Sequence, residues 1–477
     1  MRVIVIKSFV CVFAMFFIIG CTNAKELDNS VVLSLSETNF SASKEKSISL
    51  YVSIANSSNL KKIVIRKYTS NRSYIFNTIY GYEIKESTYN FNYNVTKDDP
   101  DEICFVFQAF NNKDQIVDSK KVVVDNRSGI YVSGLKQIAR VTGKSLQGEV
   151  ITNPNNTAEK YDVYGTDLGI IWKMSDSKVG IFFGDTNGKG FQPFFNGGGG
   201  NGSNWRSNVV AFSEDLDLED GLSFSEMTVD SLGKAREICA GGKANPLIYQ
   251  TSIPTSAIRI NGADYVHYMN IYDWSGPTCS WLTNFSSLYV SYDSGKTWIP
   301  KPEVKFKSLS HFSQIAYAKK DGIVYMIGTR SGRGDSGYLG RFKEKDILDM
   351  RKYEYWNGES QQWIQGNEEA ATPVIPAPVG EASLMFHEKY KRWILTYNYD
   401  YVCDSKNPQK HHAILYLDTD DITTWSKPKV LVFDDEYPGL YCAYMHPLKN
   451  NEDKLYFLMS LWGPYNVFLM SVDMKLY

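Results

Sequence analysis

Short runs in which hydrophobic and polar residues alternate dominate the first part of the chain. The clearest runs span residues 31–35, 47–52, 62–65, 104–109 and 121–124. An alternation with a period of two places every second side chain on the same face of a β-strand, and polar turns separate these runs. The pattern predicts a small N-terminal β-sandwich of the immunoglobulin-like kind over residues 31–125, without a cluster of reactive side chains.

The remainder of the chain repeats a hairpin pattern, in which two apolar runs flank a short polar turn. The five hairpins span residues 165–185, 256–269, 312–327, 381–397 and 441–459. The second one turns at Asn261-Gly262, a dipeptide that strongly favours a two-residue hairpin turn. Five hairpins at a spacing of about 60 residues predict an all-β protein with a five-bladed β-propeller over residues 160–477, and residues 126–159 as a linker. A large β-sandwich is the alternative.

The charge of the chain argues against one class of partner. Its 477 residues include 51 Lys and Arg and 53 Asp and Glu, which give a formal net charge of −2. A protein that coats nucleic acid needs a surplus of basic residues, so nucleic acid is not expected as a partner. Aromatic residues make up 14% of the chain, a composition often found in extracellular β-proteins that stack on sugars.

The amino terminus has the pattern of a secretory signal. Arg2 and Lys7 precede an apolar run that ends at Gly20-Cys21, which is too short for a membrane-spanning helix. The end of the run resembles a bacterial lipobox, in which Cys21 becomes the acylated first residue of the mature protein. We therefore expect a signal peptide over residues 1–20, a tether over residues 21–30, and a lipoprotein of the bacterial outer membrane that faces the cell surface or the periplasm. The alternative is a soluble secreted protein.

The remaining cysteines follow no metal-binding spacing, and neither a metal nor an organic cofactor is expected. They are Cys104, Cys239, Cys279, Cys403 and Cys442, besides Cys11 in the signal. A Cys239–Cys279 or a Cys403–Cys442 disulfide would suit an oxidising compartment, and buried thiols are the other interpretation.

Two aspartates in the first hairpin are the main candidates for chemistry. Asp167 and Asp185 each lie nine residues from Asp176, at which the hairpin turns. A symmetric register would place them directly opposite each other, with Cβ atoms about 4.5–5.5 Å apart. Two such carboxylates repel each other, so one of them holds a proton more readily, and glycoside hydrolysis needs a proton donor beside a carboxylate. The structural alternative is that each aspartate binds backbone N–H groups in a turn.

Several motifs resemble a known family in their order along the chain. They are Gly165-Thr166-Asp167-Leu168-Gly169, Phe182-Phe183-Gly184-Asp185-Thr186, the segments 206–211 and 381–383, Tyr444-Met445-His446-Pro447, and the segment 460–467. Together they resemble a former domain-of-unknown-function family that is now described as endo-D-arabinanases, glycoside hydrolase family 183, over residues 160–477. The resemblance implies a five-bladed propeller that cleaves internal α-D-arabinofuranosidic linkages, as in mycobacterial arabinogalactan and lipoarabinomannan. It also implies that Asp167 and Asp185 are the catalytic residues.

Further residues are expected to bind substrate. Gln314, Glu381 and Tyr444 match the position of Asp167 in later hairpins, and other aromatic or polar residues are candidates for the cleft. The full set is Asn208, His311, Gln314, Glu381, Tyr444, His446, Trp462 and Tyr465. The alternatives are an ion pair for Glu381 and core packing for the histidines and Trp462.

The close spacing of a directly opposed pair favours the retaining geometry of about 5–5.5 Å between carboxyl groups over the inverting one of about 6.5–9.5 Å. We therefore expect a monomeric enzyme that is anchored to the membrane, and the resemblance implies an arabinan polysaccharide as its substrate. Two other functions stay open, a non-catalytic glycan-binding lipoprotein and a glycosidase for another sugar, such as L-arabinan or sialic acid.

Overall fold

The computed structural model describes residues 31–41, 47–69, 72–96, 99–241, 250–277, 279–404 and 411–477. The predicted signal peptide, the acylation site Cys21 and the tether lie outside these ranges. Within them, no helix combines the length and the apolar character that a membrane crossing needs. Strands make up almost all of the regular structure, so the predicted all-β class is confirmed.

The chain forms two compact units. The described residues before Ile130, together with Tyr477, form the first unit, and Ile130–Leu476 form the second.

The first unit contains a three-stranded and a five-stranded sheet, ordered β1-β3-β6 and β2-β8-β7-β4-β5. The strands are β1 Val32–Leu35, β2 Asn39–Ser41, β3 Ser47–Ala55, β4 Leu60–Thr69, β5 Arg72–Tyr80, β6 Thr88–Asn94, β7 Glu102–Asn111 and β8 Ile116–Asp125. Strand β3 shows why they form, because its residues alternate strictly between exposed and buried. Its buried side chains, such as Leu50 and Val52, share one core with Phe105 and Phe107 of the other sheet.

The second unit contains five antiparallel sheets that follow one another along the chain. The first strand of the unit is β9 Ile130–Arg140, and a short helix, α1 Thr157–Tyr161, follows it. The first sheet contains β10 Leu168–Lys173, β11 Val179–Phe183, β12 Val209–Ser213 and β13 Glu226–Met227. The second contains β14 Thr251–Ile260, β15 Ala263–Asp273, β16 Leu282–Ser291 and β17 Ile299–Lys307.

The third sheet contains β18 Gln314–Lys320, β19 Ile323–Thr329, β20 Asp335–Lys343, β21 Glu354–Asn357, β22 Gln362–Gln365 and β23 Pro373–Val379. The fourth contains β24 Ala382–His387, β25 Arg392–Tyr399, β26 Ala413–Thr419 and β27 Lys429–Phe433. The fifth contains β28 Leu440–Met445, β29 Lys454–Leu461 and β30 Asn466–Leu476, and β9 completes it. The five predicted hairpins are the first two strands of these five sheets.

The beginning and the end of the second unit meet in its fifth sheet. Strand β9 pairs antiparallel with β30, from Arg140 opposite Phe468 to Ile130 opposite Leu476. Residues 130–140, which lie in the predicted linker, therefore belong to a sheet. The first strands of successive sheets also contact each other, β10 with β14, β14 with β18, β18 with β24, and β24 with β28, while β28 in turn contacts β10.

One disulfide joins two sheets of the second unit. Cys279, between β15 and β16, is bonded to Cys403, between β25 and β26, with their Cα atoms 5.7 Å apart. Both pairings considered from the sequence are wrong. Cys239 and Cys442 are buried thiols that pack in a hydrophobic core, whereas Cys279 and Cys403 lie in the corresponding loops of two sheets.

Candidate active site

A cavity of about 630 Å³ opens in the second unit. Its walls come from all five sheets, at the starts of their first strands and in the loops that follow their second strands. Asp167 and Asp185, the two aspartates singled out from the sequence, both line this cavity.

A β-bulge determines how the two aspartates are placed. From Ile170 to Lys173 the hairpin has the symmetric register that the sequence predicts, but the register shifts between Leu168 and Ile170. Leu168 and Gly169 have φ angles of 71° and 94°, in the left-handed region. Glycine suits the second position for a further reason, because a Cβ there would lie 3.1 Å from side-chain atoms of Leu458 and Val467.

The bulge corrects the expectation that the aspartates are directly opposed. The carbonyl of Asp167 accepts a hydrogen bond from the amide of Gly184 at 3.1 Å, so Asp185 lies one residue beyond the opposing position. Bulges next to active sites commonly redirect a side chain in this way. The preference for a retaining geometry rested on direct opposition, and it loses that support.

Two threonines fix the aspartate-bearing segments to each other. The hydroxyl oxygens of Thr166 and Thr186 lie 2.7 Å apart, and the Thr186 hydroxyl donates to the carbonyl of Gly184 at 2.8 Å. Because a hydroxyl has only one proton, Thr166 is the donor in the bond between the two side chains. Both threonines are fully buried. This contact fixes the segment that carries Asp167 to the segment that carries Asp185.

Asp167 is a half-buried acid that holds its proton unusually well. The hydroxyl of Tyr441 donates to Oδ2 of Asp167 at 3.1 Å, while Oδ1 is buried and has no hydrogen-bond partner within the described part of the chain. Burial, followed by the negative charge of Asp185, raises the pKa of Asp167 to about 8, although the hydrogen bond from Tyr441 acts in the opposite direction. Asp167 is therefore mostly protonated at neutral pH.

Asp185 is likewise half-buried, and it accepts two hydrogen bonds. Thr251 Oγ1 and Trp205 Nε1 donate to Oδ1 of Asp185 at 2.7 and 3.1 Å. Burial raises the pKa of Asp185 to about 7, and these two hydrogen bonds limit the increase because they stabilise the carboxylate. Asp185 therefore ionises before Asp167, and the pair can hold one protonated and one ionised carboxyl group near neutral pH.

A third acid, Glu381, also lines the cavity, and it is bound by a cation. Arg333 binds it with two hydrogen bonds, from Nη2 to Oε1 at 2.8 Å and from Nε to Oε2 at 3.1 Å. Asn398 Nδ2 donates to the same carboxylate at 3.2 Å. The ion pair that the sequence left open for Glu381 is present.

Four further candidates join Glu381 in the lining. They are Gln314, Tyr444, Trp462 and Tyr465. The side-chain amide of Gln314 donates to the carbonyls of Arg330 and Gly332, at 3.0 and 2.6 Å, and so holds the loop that bears Arg333. Burial, followed by the negative charge of Asp167, raises the pKa of Tyr465 well above its usual value.

The other three candidates lie elsewhere. The side-chain amide of Asn208 is used in four hydrogen bonds, to the backbone of Ile238, Cys239 and Ser252. His311 lies 2.9 Å from a carboxylate oxygen of Asp335 and stacks on Tyr338. His446 is 1% exposed, and burial lowers its pKa to about 3. None of the three lines the cavity, and the burial of His446 agrees with the packing role that the sequence left open for it.

The glycine-rich segment after β11 forms part of the cavity wall. Phe194 and Gly199 donate backbone hydrogen bonds to the carbonyls of Gly463 and Trp462, at 2.7 and 2.9 Å. Gly199 lies so close to the indole of Trp462 that a Cβ there would collide with the ring. The segment leads to Trp205, which brings its indole N–H to Asp185.

Several residues that line the cavity were not predicted from the sequence. They are Asn187, Trp205, Trp274, Trp281, Arg333, His412 and Tyr441. For most of them, the neighbouring residues in the chain give no indication of this position. Tyr441 is 274 positions from Asp167, so only the complete fold brings its hydroxyl to that carboxyl group. Asn187 is the exception, since it follows Asp185 by two residues and alternation along an extended segment would have placed both on one side.

No group of three or more His, Cys, Asp or Glu side chains arranged to hold a metal ion occurs within the described ranges.

Comparisons with known proteins give one family and distant relatives. The sequence model of a family described as "Domain of unknown function (DUF4185)" matches residues 152–471. The chain is similar to "Notoamide biosynthesis cluster protein J" of Aspergillus sp. (strain MF297-2), with 24% identity over 337 residues, 66% of this chain and 84% of that protein. It is also similar to "Notoamide biosynthesis cluster protein J'" of Aspergillus versicolor, with 23% identity over 326 residues, 66% of this chain and 85% of that protein. These names specify no reaction.

Among solved structures, the chain has a distant similarity to the crystal structure of cobalt-substituted Synechocystis ACO, at 6% sequence identity. The similarity covers 82% of this chain and 60% of that one, with a TM-score of 0.21, which does not establish a common fold.

Proposed function

The chain belongs to the DUF4185 family, and from its site we propose that it is a glycoside hydrolase whose acidic residues are Asp167 and Asp185. One observation carries the proposal. The two carboxyl groups line one cavity, their hydrogen-bond donors are neutral, and the pKa of each is raised to near neutrality. Within the described ranges, no Lys, Arg or His forms an ion pair with either of them. Shifted, uncompensated acids in a cleft are typical of acid–base catalysis.

The proposed roles follow from the order in which the two acids ionise. Asp167, with the higher pKa, donates its proton to the oxygen of the leaving sugar as the glycosidic bond breaks. Asp185, held as a carboxylate by Thr251 and Trp205, stabilises the positive charge at the anomeric carbon. In one route Asp185 attacks that carbon, and water, deprotonated by Asp167, then cleaves the resulting ester; in the other Asp185 takes a proton from the water molecule that attacks the carbon.

We propose a neutral furanoside polysaccharide as the substrate, with internal α-D-arabinofuranosidic linkages as the bonds cleaved. The motifs that resemble glycoside hydrolase family 183 support this assignment. The charges of the cavity support a neutral sugar, because Arg333 is already bound to Glu381. A sialic acid would bring a further carboxylate close to Asp167 and Asp185. Aromatic side chains in the lining, among them Trp274 and Trp281, offer faces for sugar rings.

We also propose that the second unit is a five-bladed β-propeller. Five antiparallel sheets in chain order, the contact of β28 with β10, and the pairing of β9 with β30 support this architecture. In a propeller the starts of the first strands meet at one end of the central channel, where they would surround the cavity.

For localisation we propose an outer-membrane lipoprotein anchored through acylated Cys21. The sequence pattern of residues 1–21 supports it. Mass spectrometry of the N-terminal peptide from the native bacterium tests the proposal. A lipid-modified Cys21 is expected, and an unmodified cysteine would contradict it.

Digestion of mycobacterial arabinogalactan tests the proposed activity against the alternative of a glycan-binding protein. Cleavage of internal bonds predicts that oligosaccharides of several lengths appear early, and L-arabinan and a sialylated glycan serve as comparison substrates. Binding of arabinogalactan without any product would favour the glycan-binding alternative. Faster release from one of the comparison substrates would reassign the sugar and keep the class of enzyme.

A further inference from the structure

Asn187 lies in the same extended segment as Asp185. Its backbone is fixed by hydrogen bonds to the facing segment, from its own amide to the carbonyl of Gly165 at 2.8 Å and from the amide of Tyr164 to its carbonyl at 2.9 Å. Side chains alternate along extended backbone, so Asp185 and Asn187 share one side while Thr186 points to the other. The buried hydroxyl contact of Thr186 and the presence of Asp185 and Asn187 in the cavity lining agree with this arrangement.

The side-chain amide of Asn187 is buried without a hydrogen-bond acceptor. The residue is 3% exposed, and its Nδ2 has no partner among the residues that the structure describes. Across from it lies Gly200, where a Cβ would stand 3.0 Å from Nδ2. A buried amide donor without an acceptor destabilises a folded protein, so such a group calls for a functional reason.

A second unpartnered atom belongs to another residue of the cavity lining. Oδ1 of Asp167 is also buried and lacks a partner in the described ranges. Two residues of the lining thus carry one unused donor and one unused acceptor, beside a space large enough for sugar rings. A neutral sugar supplies both kinds of complementary group, through its ring or hydroxyl oxygens and its hydroxyl protons.

We propose that Asn187 is a substrate-binding residue whose side-chain NH₂ donates a hydrogen bond to an oxygen of the sugar bound beside Asp185. The inference rests on the proposed function and adds to it a contact that selects for an uncharged oxygen. Asp185, two residues before Asn187 on the same side of the segment, disfavours an anionic group at this position.

Replacement of Asn187 by alanine separates a binding role from a structural one. The substitution removes an unsatisfied donor, so the melting temperature of the protein without ligand should stay the same or rise. Affinity for substrate should fall about 3- to 10-fold, which is the usual effect of losing one hydrogen bond to an uncharged group. Asn187→Asp keeps the shape and loses the donor, and a loss of more than about 10-fold is expected because a third acid then faces the sugar.

Asn208 provides the matched control, since its amide is fully hydrogen-bonded away from the cavity. Asn208→Ala should lower the melting temperature and leave the affinity of the remaining folded protein close to that of the wild type. The two asparagines should therefore show opposite patterns of stability and binding.

Calorimetric titration with synthetic α-D-arabinofuranosyl oligosaccharides, together with thermal melts, measures both quantities for the full chain. Wild-type affinity in Asn187→Ala, or a loss of affinity that accompanies an equal loss of stability as in Asn208→Ala, would overturn the role of Asn187 while leaving the proposed function intact. A wild-type protein that neither binds nor cleaves these oligosaccharides would overturn the proposed function, and the role of Asn187 with it.

Discussion

Asp418 differs from the cavity acids Asp167 and Asp185 in what surrounds its carboxyl group. Asp418 is fully buried, and its carboxylate binds Lys429 Nζ at 2.8 Å, Arg392 Nε at 2.6 Å and the backbone amide of Ile130 at 3.0 Å. Asp167 and Asp185 have hydroxyl and indole donors instead. Asp418 is paired with two cations, whereas Asp167 feels the negative charge of Asp185, and Asp185 that of Glu237.

This difference distinguishes an acid that stabilises the fold from acids that are suited to catalysis. Asp418 connects the start of β9 to β25 and β27, so its cations and its carboxylate serve the fold. Asp167 and Asp185 destabilise the fold when they are ionised, because burial without a cation raises the pKa of each. Groups of this kind are retained where a proton has to be held and then released.

The largest expected effect is on catalysis. Asp167→Asn and Asp185→Asn should each lower kcat/KM on D-arabinan by at least about 10³-fold, because each removes a group that acts on the breaking bond. Circular dichroism and melting temperatures should show that both variants fold. Activity within tenfold of wild type in either variant would remove that aspartate from the mechanism.

For Asp418 we expect a large effect on stability and little effect on catalysis. Asp418→Asn leaves Lys429 and Arg392 without their carboxylate and should lower the free energy of unfolding by about 3–5 kcal/mol. Urea denaturation measures this loss, and kcat/KM per folded molecule should change little. A strong loss of activity without a loss of stability would contradict the distinction between Asp418 and the two cavity aspartates.

A smaller effect concerns the pH dependence of stability. The folded-state pKa of Asp167, about 8, lies above the value of about 3.9 in an unfolded chain, so the folded state binds the proton more tightly. The stability that this proton contributes is fully present below pH 4 and is lost as the pH rises towards 8. Asp167→Asn lacks this dependence.

Asp167→Asn should therefore be more stable than the wild type at pH 8, by about 1 kcal/mol or more, relative to the difference between the two proteins at pH 5. Denaturation at both pH values gives the comparison. An unchanged difference would mean that Asp167 titrates as an ordinary surface acid.

The smallest effect on stability is expected from the pair of threonines next to the two aspartates. Thr186→Val removes the donor to Gly184 and the acceptor for Thr166, and it should lower the free energy of unfolding by about 1–2 kcal/mol. Thr186→Ser keeps the hydroxyl and should restore most of that loss. If kcat also falls in the valine variant and recovers in the serine variant, the threonine pair positions the aspartates as well as stabilising them.

The sequence predicted the parts of the fold and site that depend on local pattern. Alternation and turn residues located the first two strands of every sheet in the second unit, and the spacing about Asp176 singled out Asp167 and Asp185. The spacing alone could not predict the bulge at Gly169, because Gly169 packs beside Leu458 and Val467, which lie far away along the chain.

Contacts between distant segments account for what was missed. Tyr441, Trp205 and Thr251 reach the two aspartates from other sheets or from a long loop, and nothing in their own neighbourhoods indicates this. The same holds for the Cys279–Cys403 disulfide, which spans 124 positions. Glu381 could be identified as an acid of interest, but only the fold shows that Arg333 neutralises it.

Titration of the aspartate carboxyl carbons by ¹³C NMR tests most directly whether the cavity holds one protonated and one ionised acid near neutral pH. Comparison of the wild type with Asp167→Asn and Asp185→Asn assigns the two signals. The wild type should show two coupled transitions near pH 7 and 8, and each variant should lose one of them. Two ordinary transitions near pH 4 would show that both carboxyl groups are ionised at neutral pH, and the proposed proton donor would not exist.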